Sequence, residues 1–311
     1  MVKLQTIVDS KPSDWKIGYE VRILMLGSCF ADEMAEQMQQ RHLPVTCNPF
    51  GTLYNPLSIA QAIHLKELPE LVEYDGLWHS MAHHGSFSHP AKEETETAVR
   101  ASIEHMQKAF ADATVVIVTF GTAWVYEWNK ESGFRNQESG VRSQNKYVVA
   151  NCHKMPESWF SRRRLSVEEI VAAWRPILEQ YKDKHWIFTV SPIRHIKDGL
   201  HENQLSKATL LMAVEELRNT EYRVQNTECR VQNTECRVQN PDRVTYFPSY
   251  EILLDELRDY RFYADDLVHP SSLAVNYIWE RFAETFCTPK TRNRMQIELK
   301  RWKQSQHRPL H

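Results

Sequence analysis

The chain has 311 residues, 42% of them hydrophobic and 25% charged, with a formal net charge of −2. That is the composition of an ordinary globular protein, long enough to bury one large core. The balanced charge offers no electrostatic footing for nucleic acid or an acidic membrane surface, and no stretch reaches the roughly 20 apolar residues that cross a bilayer.

In chain order, residues 1–20 read as a mixed polar extension without the apolar core of a secretory signal, so a cytoplasmic protein is expected. Residues 21–26 form the first apolar, β-branched run and end in Gly27-Ser28. An amphipathic helix follows over residues 32–41. Residues 71–90 break the rhythm with turn formers, histidines and aromatics, as a small hairpin or lid would. A helix over 95–111 leads into the second strand, 114–120, which ends in Gly121-Thr122. A second irregular stretch covers 129–156. Arg162-Arg163-Arg164 reads as solvated surface, and Ser166-Val167-Glu168-Glu169 as a capping box opening a helix that runs to residue 181. The third strand, 185–190, ends in Ser191-Pro192 and is followed by a helix over 206–217. Residues 219–239 hold three near-identical seven-residue units, with only one strong apolar residue in each. They have no coiled-coil seam and read as a duplicated surface insertion that lengthens a helix or forms a loop. The fourth strand is 243–247, the last helix 272–286, and residues 289–311 are a basic, polar tail. Strands alternating with helices predict a parallel sheet with right-handed crossovers, in one domain over 21–288. The six cysteines include no CxxC pair, and free thiols are expected.

The chemistry concentrates at the strand ends, where open parallel sheets gather their sites. Ser28 follows Gly27 directly, placing a small nucleophile at the positive end of the next helix. Cys29 is its rival, because a thiol at a helix amino terminus ionises readily. The strand-to-helix geometry decides which of the two faces the pocket. Near the other end of the chain, Asp266 and His269 lie three apart and on one helical turn would point the same way. His269 would act as base and Asp266 would orient it, with Asp265 as second choice were the turn not helical. The plainer alternative makes Asp266 a cap for a helix near Pro270 and His269 a surface residue. Donors for an oxyanion are sought in the Ser28 amide, in Gly51 and Asn55 of the segment 48–56, and in Thr122. Arg194 and His195, just past the third strand, would share the rim. An arginine there suits a carboxylate or phosphate, or else makes a structural salt bridge. The cluster of His79, His83, His84 and His89 lacks an HExxH pattern or paired cysteines. It reads as pocket-lining or hydrogen-bonded loop residues, with His83 and His84 as substrate contacts, rather than as metal ligands. No metal or other cofactor is called for.

Gly27-Ser28-Cys29-Phe30-Ala31 spells the signature of the GSCFA family. Residues 48–56, 76–80, 83–88, 191–195 and 266–270 also resemble that family's recurrent blocks. The likeness covers residues 21–286 and is to proteins of Bacteroidetes-type bacteria. The family in turn resembles the SGNH (GDSL-like) hydrolases. The resemblance implies a flavodoxin-like three-layer α/β/α sandwich, Ser28 as nucleophile with His269 and Asp266, and Gly51 as the second block's oxyanion glycine. Two departures stand out. The motif is Gly-Ser-Cys rather than Gly-Asp-Ser, and Gly121-Thr122-Ala123-Trp124 stands where a GxND asparagine is usual, leaving the Thr122 hydroxyl as candidate donor. The expected function is a serine esterase or acyltransferase acting on an O-acyl group of a carbohydrate or related small molecule. The competing class is a non-catalytic ligand-binding module of the same fold with an anion-reading Arg194/His195 rim.

Overall fold

The computed structural model describes residues 5–129, 147–232 and 243–306, with 220–232 as backbone. Its centre is a five-stranded, all-parallel sheet built from β1 (Ile23–Gly27), β2 (Val45–Cys47), β5 (Val115–Phe120), β9 (His185–Val190) and β10 (Val244–Phe247), in the spatial order β10-β9-β5-β1-β2. Read in chain order these strands stand 2-1-3-4-5, the doubly wound order of a flavodoxin-like sheet, with its switch point between β1 and β5. The fold class is therefore a three-layer α/β/α sandwich. The expected four strands are present. β2 is an addition, a short half-buried edge strand.

Strand periodicity sorts the core into two halves. Leu24, Leu26, Val116, Val118, Phe120, Trp186 and Phe188 face one layer. That layer holds α2 (Pro56–His64), α3 (Lys92–Asp112), α4 (Val167–Gln180) and α5 (Leu200–Gln232). Ile23, Met25, Val115, Ile117 and Ile187 face the other, which holds α1 (Cys29–Gln39) and α6 (Ser272–Phe286). α2 was not legible as a separate element, because its buried residues wrap most of its circumference. Asn55 caps it through a bond from the Ser58 amide, and Pro56 opens it. The capping box of α4 forms as expected, with Ser166 and Glu169 bonding each other's backbone.

Outside the sheet, β3 (Leu71–Tyr74) and β4 (Leu77–Ser80) make the expected hairpin, turning on Asp75 and Gly76, both at positive φ. A second small sheet pairs β6 (Trp124–Trp128) with β7 (Tyr147–Val149) and β8 (Phe160–Arg164). The arginine run lies in β8 and is not plain solvated surface. Arg162 lies over the Trp124 ring, and Arg163 pairs with Glu127 and Glu169. The irregular stretch 129–156 falls largely outside the described residues. The first two heptad units are helical, continuing α5 to Gln232, and the third lies outside the described residues.

Both ends are partly built into the fold. The leading segment is no free extension, since Ile17 is buried and bonds the Phe286 carbonyl at the end of α6. The tail forms α7 (Pro289–Gln306), with only Met295 buried. Cys29, Cys47, Cys152 and Cys287 are free thiols. Among the described residues no helix is long and apolar enough to cross a membrane.

Trp174 shows what holds the α4 layer. Its ring is fully buried against Phe120, Phe188 and Trp186, and its Nε1 donates to the Pro56 carbonyl at 3.1 Å. Trp174→Ala is expected to cost about 3–5 kcal/mol of unfolding free energy, read from urea denaturation.

Candidate functional site

β1 ends where it almost touches β5. Gly27 has φ +139°, and a Cβ there would stand 2.1 Å from the Thr119 carbonyl oxygen. The chain then turns through Ser28, the amino-terminal cap of α1. The segment 48–55 is sewn across this turn. Asn48 accepts the Gly27 amide through Oδ1 at 2.8 Å, and the Leu53 amide donates to the Gly27 carbonyl. Asp32, in the first turn of α1, accepts from Asn48 Nδ2 and Thr52 Oγ1. The Tyr54 carbonyl in turn accepts the amides of Gly121 and Thr122 just past β5. A Cβ on Gly121 would lie 3.3 Å from that of Ser28, so the ends of β1 and β5 form one packed unit.

Lys207 of α5 completes it from beneath. Its buried ammonium donates to the carbonyls of Gly121 and Ser191, each at 2.7 Å, tying the end of β5 to that of β9. Burial pushes its pKa down to about 7. The sequence reading missed this residue. The available signal was a lysine on the apolar stripe that continues through Leu210, Val214 and Leu217.

Asp266 and His269 do come together, but not on a helix. Leu267 is left-handed at φ +56°, and Asp266 closes the turn by accepting the amides of Val268 and His269 on Oδ1. Its Oδ2 accepts from His269 Nδ1 at 2.6 Å. The two backbone amides and the imidazole hold the Asp266 carboxyl at about 2. An imidazole that donates from Nδ1 to a carboxylate has Nε2 as the acceptor of its neutral form, the tautomer a general base needs. Asp266 remains the partner although the turn is not helical, and α6 is capped instead by Ser271.

Arg194 fastens this turn to the end of β9. Its amide donates to the Val268 carbonyl, its Nη1 donates to the Leu267 carbonyl at 3.0 Å, and its guanidinium lies over Tyr263 and Tyr260. It thus positions the Asp266–His269 turn. His195 sits beside Gly121 and edge-on to Tyr54, its amide bonded to Asn203 Oδ1. Burial, then Lys207, pushes the ring down to about 3 against the pull of the Gly121 backbone. Its Nε2 is buried without a hydrogen-bond partner among the described residues.

The Ser28 hydroxyl is likewise buried and unpartnered, so the structure does not join it to His269 by a hydrogen bond. His269 is felt instead by His195 and by Glu33 on the second turn of α1. The Glu33 carboxyl, raised by burial and by Glu36, is drawn back down by His269.

The expected oxyanion donors are spent elsewhere. The Ser28 amide bonds the Thr119 carbonyl and the Gly51 amide bonds the Asn48 carbonyl. The Asn55 side chain caps α2, and the Thr122 hydroxyl bonds Ser206 Oγ. Gly51 serves packing at φ +76°, where a Cβ would strike His84 at 2.3 Å. The expected substrate contacts have partners of their own as well. His83 is fully buried, bonded by Ser80 at Nδ1 and Ser102 at Nε2, and His84 caps a short turn through the Ser86 amide. Among the described residues no three metal-ligating side chains converge.

Three histidines are thus held neutral, with pKa values of about 3 for His83, about 4 for His153 and about 3 for His195, burial being the leading cause in each. Unfolding frees them to take up protons below about 6.5, so this contribution to stability is present above that pH and is lost as pH falls towards 4. The urea midpoint is expected to drop between pH 6.5 and 4.5, and the drop should be shallower in His83→Gln. Equal slopes in the two proteins would refute the buried neutral state of His83.

No curated protein and no solved structure matches the chain. One family model does, the GSCFA family, over residues 22–282, from the strand before the Gly-Ser-Cys turn to the helix after the Asp266–His269 turn. On that match the chain belongs to the GSCFA family.

Proposed function

We propose that this GSCFA protein is an SGNH-type hydrolase or acyltransferase that acts on an O-acyl ester of a carbohydrate or related small molecule. The observation that carries the reading is the Asp266–His269 pair, hydrogen-bonded at 2.6 Å and fastened by Arg194 past the carboxyl end of β9, the end of an open parallel sheet where sites gather. A nucleophile in the turn after β1, the part that the resemblance gives to Ser28, passes its proton to His269 and attacks the ester carbonyl. Asp266 stabilises the imidazolium, which then protonates the departing alkoxide. Water releases the acyl group in a hydrolase, and a second alcohol accepts it in a transferase. The enclosed Ser28 hydroxyl requires the site to rearrange when substrate enters, as unliganded catalytic contacts often do.

The sealed hydroxyl is also the one observation that favours the second reading, a binding module of the same fold. Labelling by a fluorophosphonate or an ester separates the two, because only an activated nucleophile reacts. For the hydrolase, His269→Ala and Asp266→Asn are each expected to lower kcat on p-nitrophenyl acetate by about 10²–10⁴-fold with the fold intact by circular dichroism. Wild-type turnover in His269→Ala would overturn the reading.

A further inference from the structure

Past the carboxyl ends of β9 and β10 lies a cleft of about 460 Å³, within the size range of small-molecule sites. It opens between Arg194 after β9, the start of α5 and the segment 250–263 after β10. Exposed apolar side chains gather in it. Leu200 is 59% exposed, Tyr260 65% and Leu254 37%, and the rings of Tyr250 and Tyr263 line the same space. Exposed apolar residues scattered singly need no explanation, but a group of them around one hollow marks a binding surface. The backbone beneath is unusual as well. Ile252–Leu257 is wound as a π-helix, closed by the Arg258 amide donating to the Leu253 carbonyl. Such wide turns occur mostly at functional sites.

The cleft shares a wall with the Asp266–His269 turn. Arg194 lies 5.8 Å from the ring centre of Tyr260 and 5.2 Å from that of Tyr263, while its Nη1 holds the Leu267 carbonyl. Tyr263 pairs with Pro270 in an antiparallel bridge. Around that bridge the Ala264 amide donates to the His269 carbonyl, and the Ser271 amide to the Phe262 carbonyl. A molecule in the cleft therefore rests on the backbone that carries His269.

The polar groups of the cleft suit hydroxyls rather than an ion. Among the described residues its walls hold two arginines and two aspartates, each with a partner. Arg194 bonds Leu267, Arg258 stands 3.9 Å from Asp255, and Asp259 is bonded by Arg261. The lining is thus balanced in charge, with no surplus of one sign to draw in an ion. Carboxylates accept hydrogen bonds from hydroxyls. The Gln204 amide, whose oxygen accepts from the Tyr250 hydroxyl at 2.7 Å, keeps its Nε2 as a donor. A pyranose ring has an apolar C–H face and a rim of hydroxyls, which matches an exposed tyrosine ring beside carboxylates and an amide.

We infer that this cleft binds the neutral sugar ring of a carbohydrate, with Tyr260 as the ring it stacks on. The inference rests on the acyl-transfer reading above for the role of that sugar, which is the alcohol half of the ester.

Saturation-transfer NMR on the full chain tests this with cellobiose, xylobiose, maltose and chitobiose as probes. At least one is expected to receive saturation, most strongly at the C–H protons of one ring face, and to bind about tenfold more weakly in Tyr260→Ala. Tyr260→Phe is expected to retain the binding, since the ring remains, and Leu200→Ser on the α5 side to weaken it. These side chains are exposed, so circular dichroism is expected to show the fold unchanged. Saturation of none of the four sugars, binding that Tyr260→Ala leaves unchanged, or displacement of the sugar by inorganic phosphate overturns the inference. The readout needs no turnover, so the two readings fail separately. Hydrolysis of p-nitrophenyl acetate without sugar binding overturns the cleft and leaves the hydrolase standing. Tyr260-dependent sugar binding without hydrolysis supports the cleft and counts against the hydrolase instead.

Discussion

The approach of β1 to β5 at their carboxyl ends governs the rest of the molecule. Residue 27 can have no side chain there, because the Thr119 carbonyl occupies the space. Residue 121 is crowded in the same way by the Tyr54 carbonyl and Ser28. With both positions bare, three segments that are distant in sequence (the ends of β1 and β5, and the loop 48–55) pack closely and are joined by hydrogen bonds to main-chain groups. Those bonds satisfy main-chain groups that would otherwise be buried without partners at the mouth of the sheet. The turn at 28–29 is therefore held from both sides, and the first residues of α1 have a fixed direction.

The same crowding explains why the sheet's switch point is a place for chemistry. Helices leave the sheet on opposite faces on either side of it, opening a crevice between the loops. Here the loops past β1, β5 and β9 are tied to one another, and the Asp266–His269 turn is fastened to the last of them. Two cations make several of these ties. Lys207 ties carbonyls beneath the floor, and Arg194 ties carbonyls at the rim. An ammonium buried without a carboxylate is a costly arrangement. It is sustained by two short carbonyl contacts, and it adds to the burial that chiefly keeps the neighbouring imidazole of His195 free of charge.

Much of this was legible in the amino-acid sequence. Strands buried on both faces must be nearly continuous apolar runs, so β1, β5, β9 and β10 could be read off, and with them the turns that end each one. The pairing of Asp266 with His269 was legible as spacing, though for the wrong local reason: a left-handed Leu267 and two amide bonds do what a helical turn was expected to do. The partners of the expected oxyanion donors were not legible. Whether an amide such as that of Gly51 or Ser28 is available depends on which carbonyl lies opposite, and those partners come from other segments. His83 failed for a related reason. A histidine in a turn-rich segment looks accessible until Ser102, on a helix 19 residues away, claims its second nitrogen. Cys29 and Ser28 could not be ranked by composition, since adjacent residues at a strand-to-helix junction point in different directions that only the turn decides.

The heptad units in α5 have a consequence for how this chain can vary. An α-helix rises about 1.5 Å per residue, and seven residues bring it to within about 20° of its starting azimuth. Adding one unit such as 226–232 therefore extends the rod by about 10 Å and leaves its polar and apolar sides nearly where they were. Each unit is also a whole number of codons, so its gain or loss leaves downstream translation in frame. Copy number in this tract is thus uncoupled from the packing around Lys207 and Leu210, and relatives of this protein can differ in the length of that rod while the crevice at the sheet's mouth stays the same.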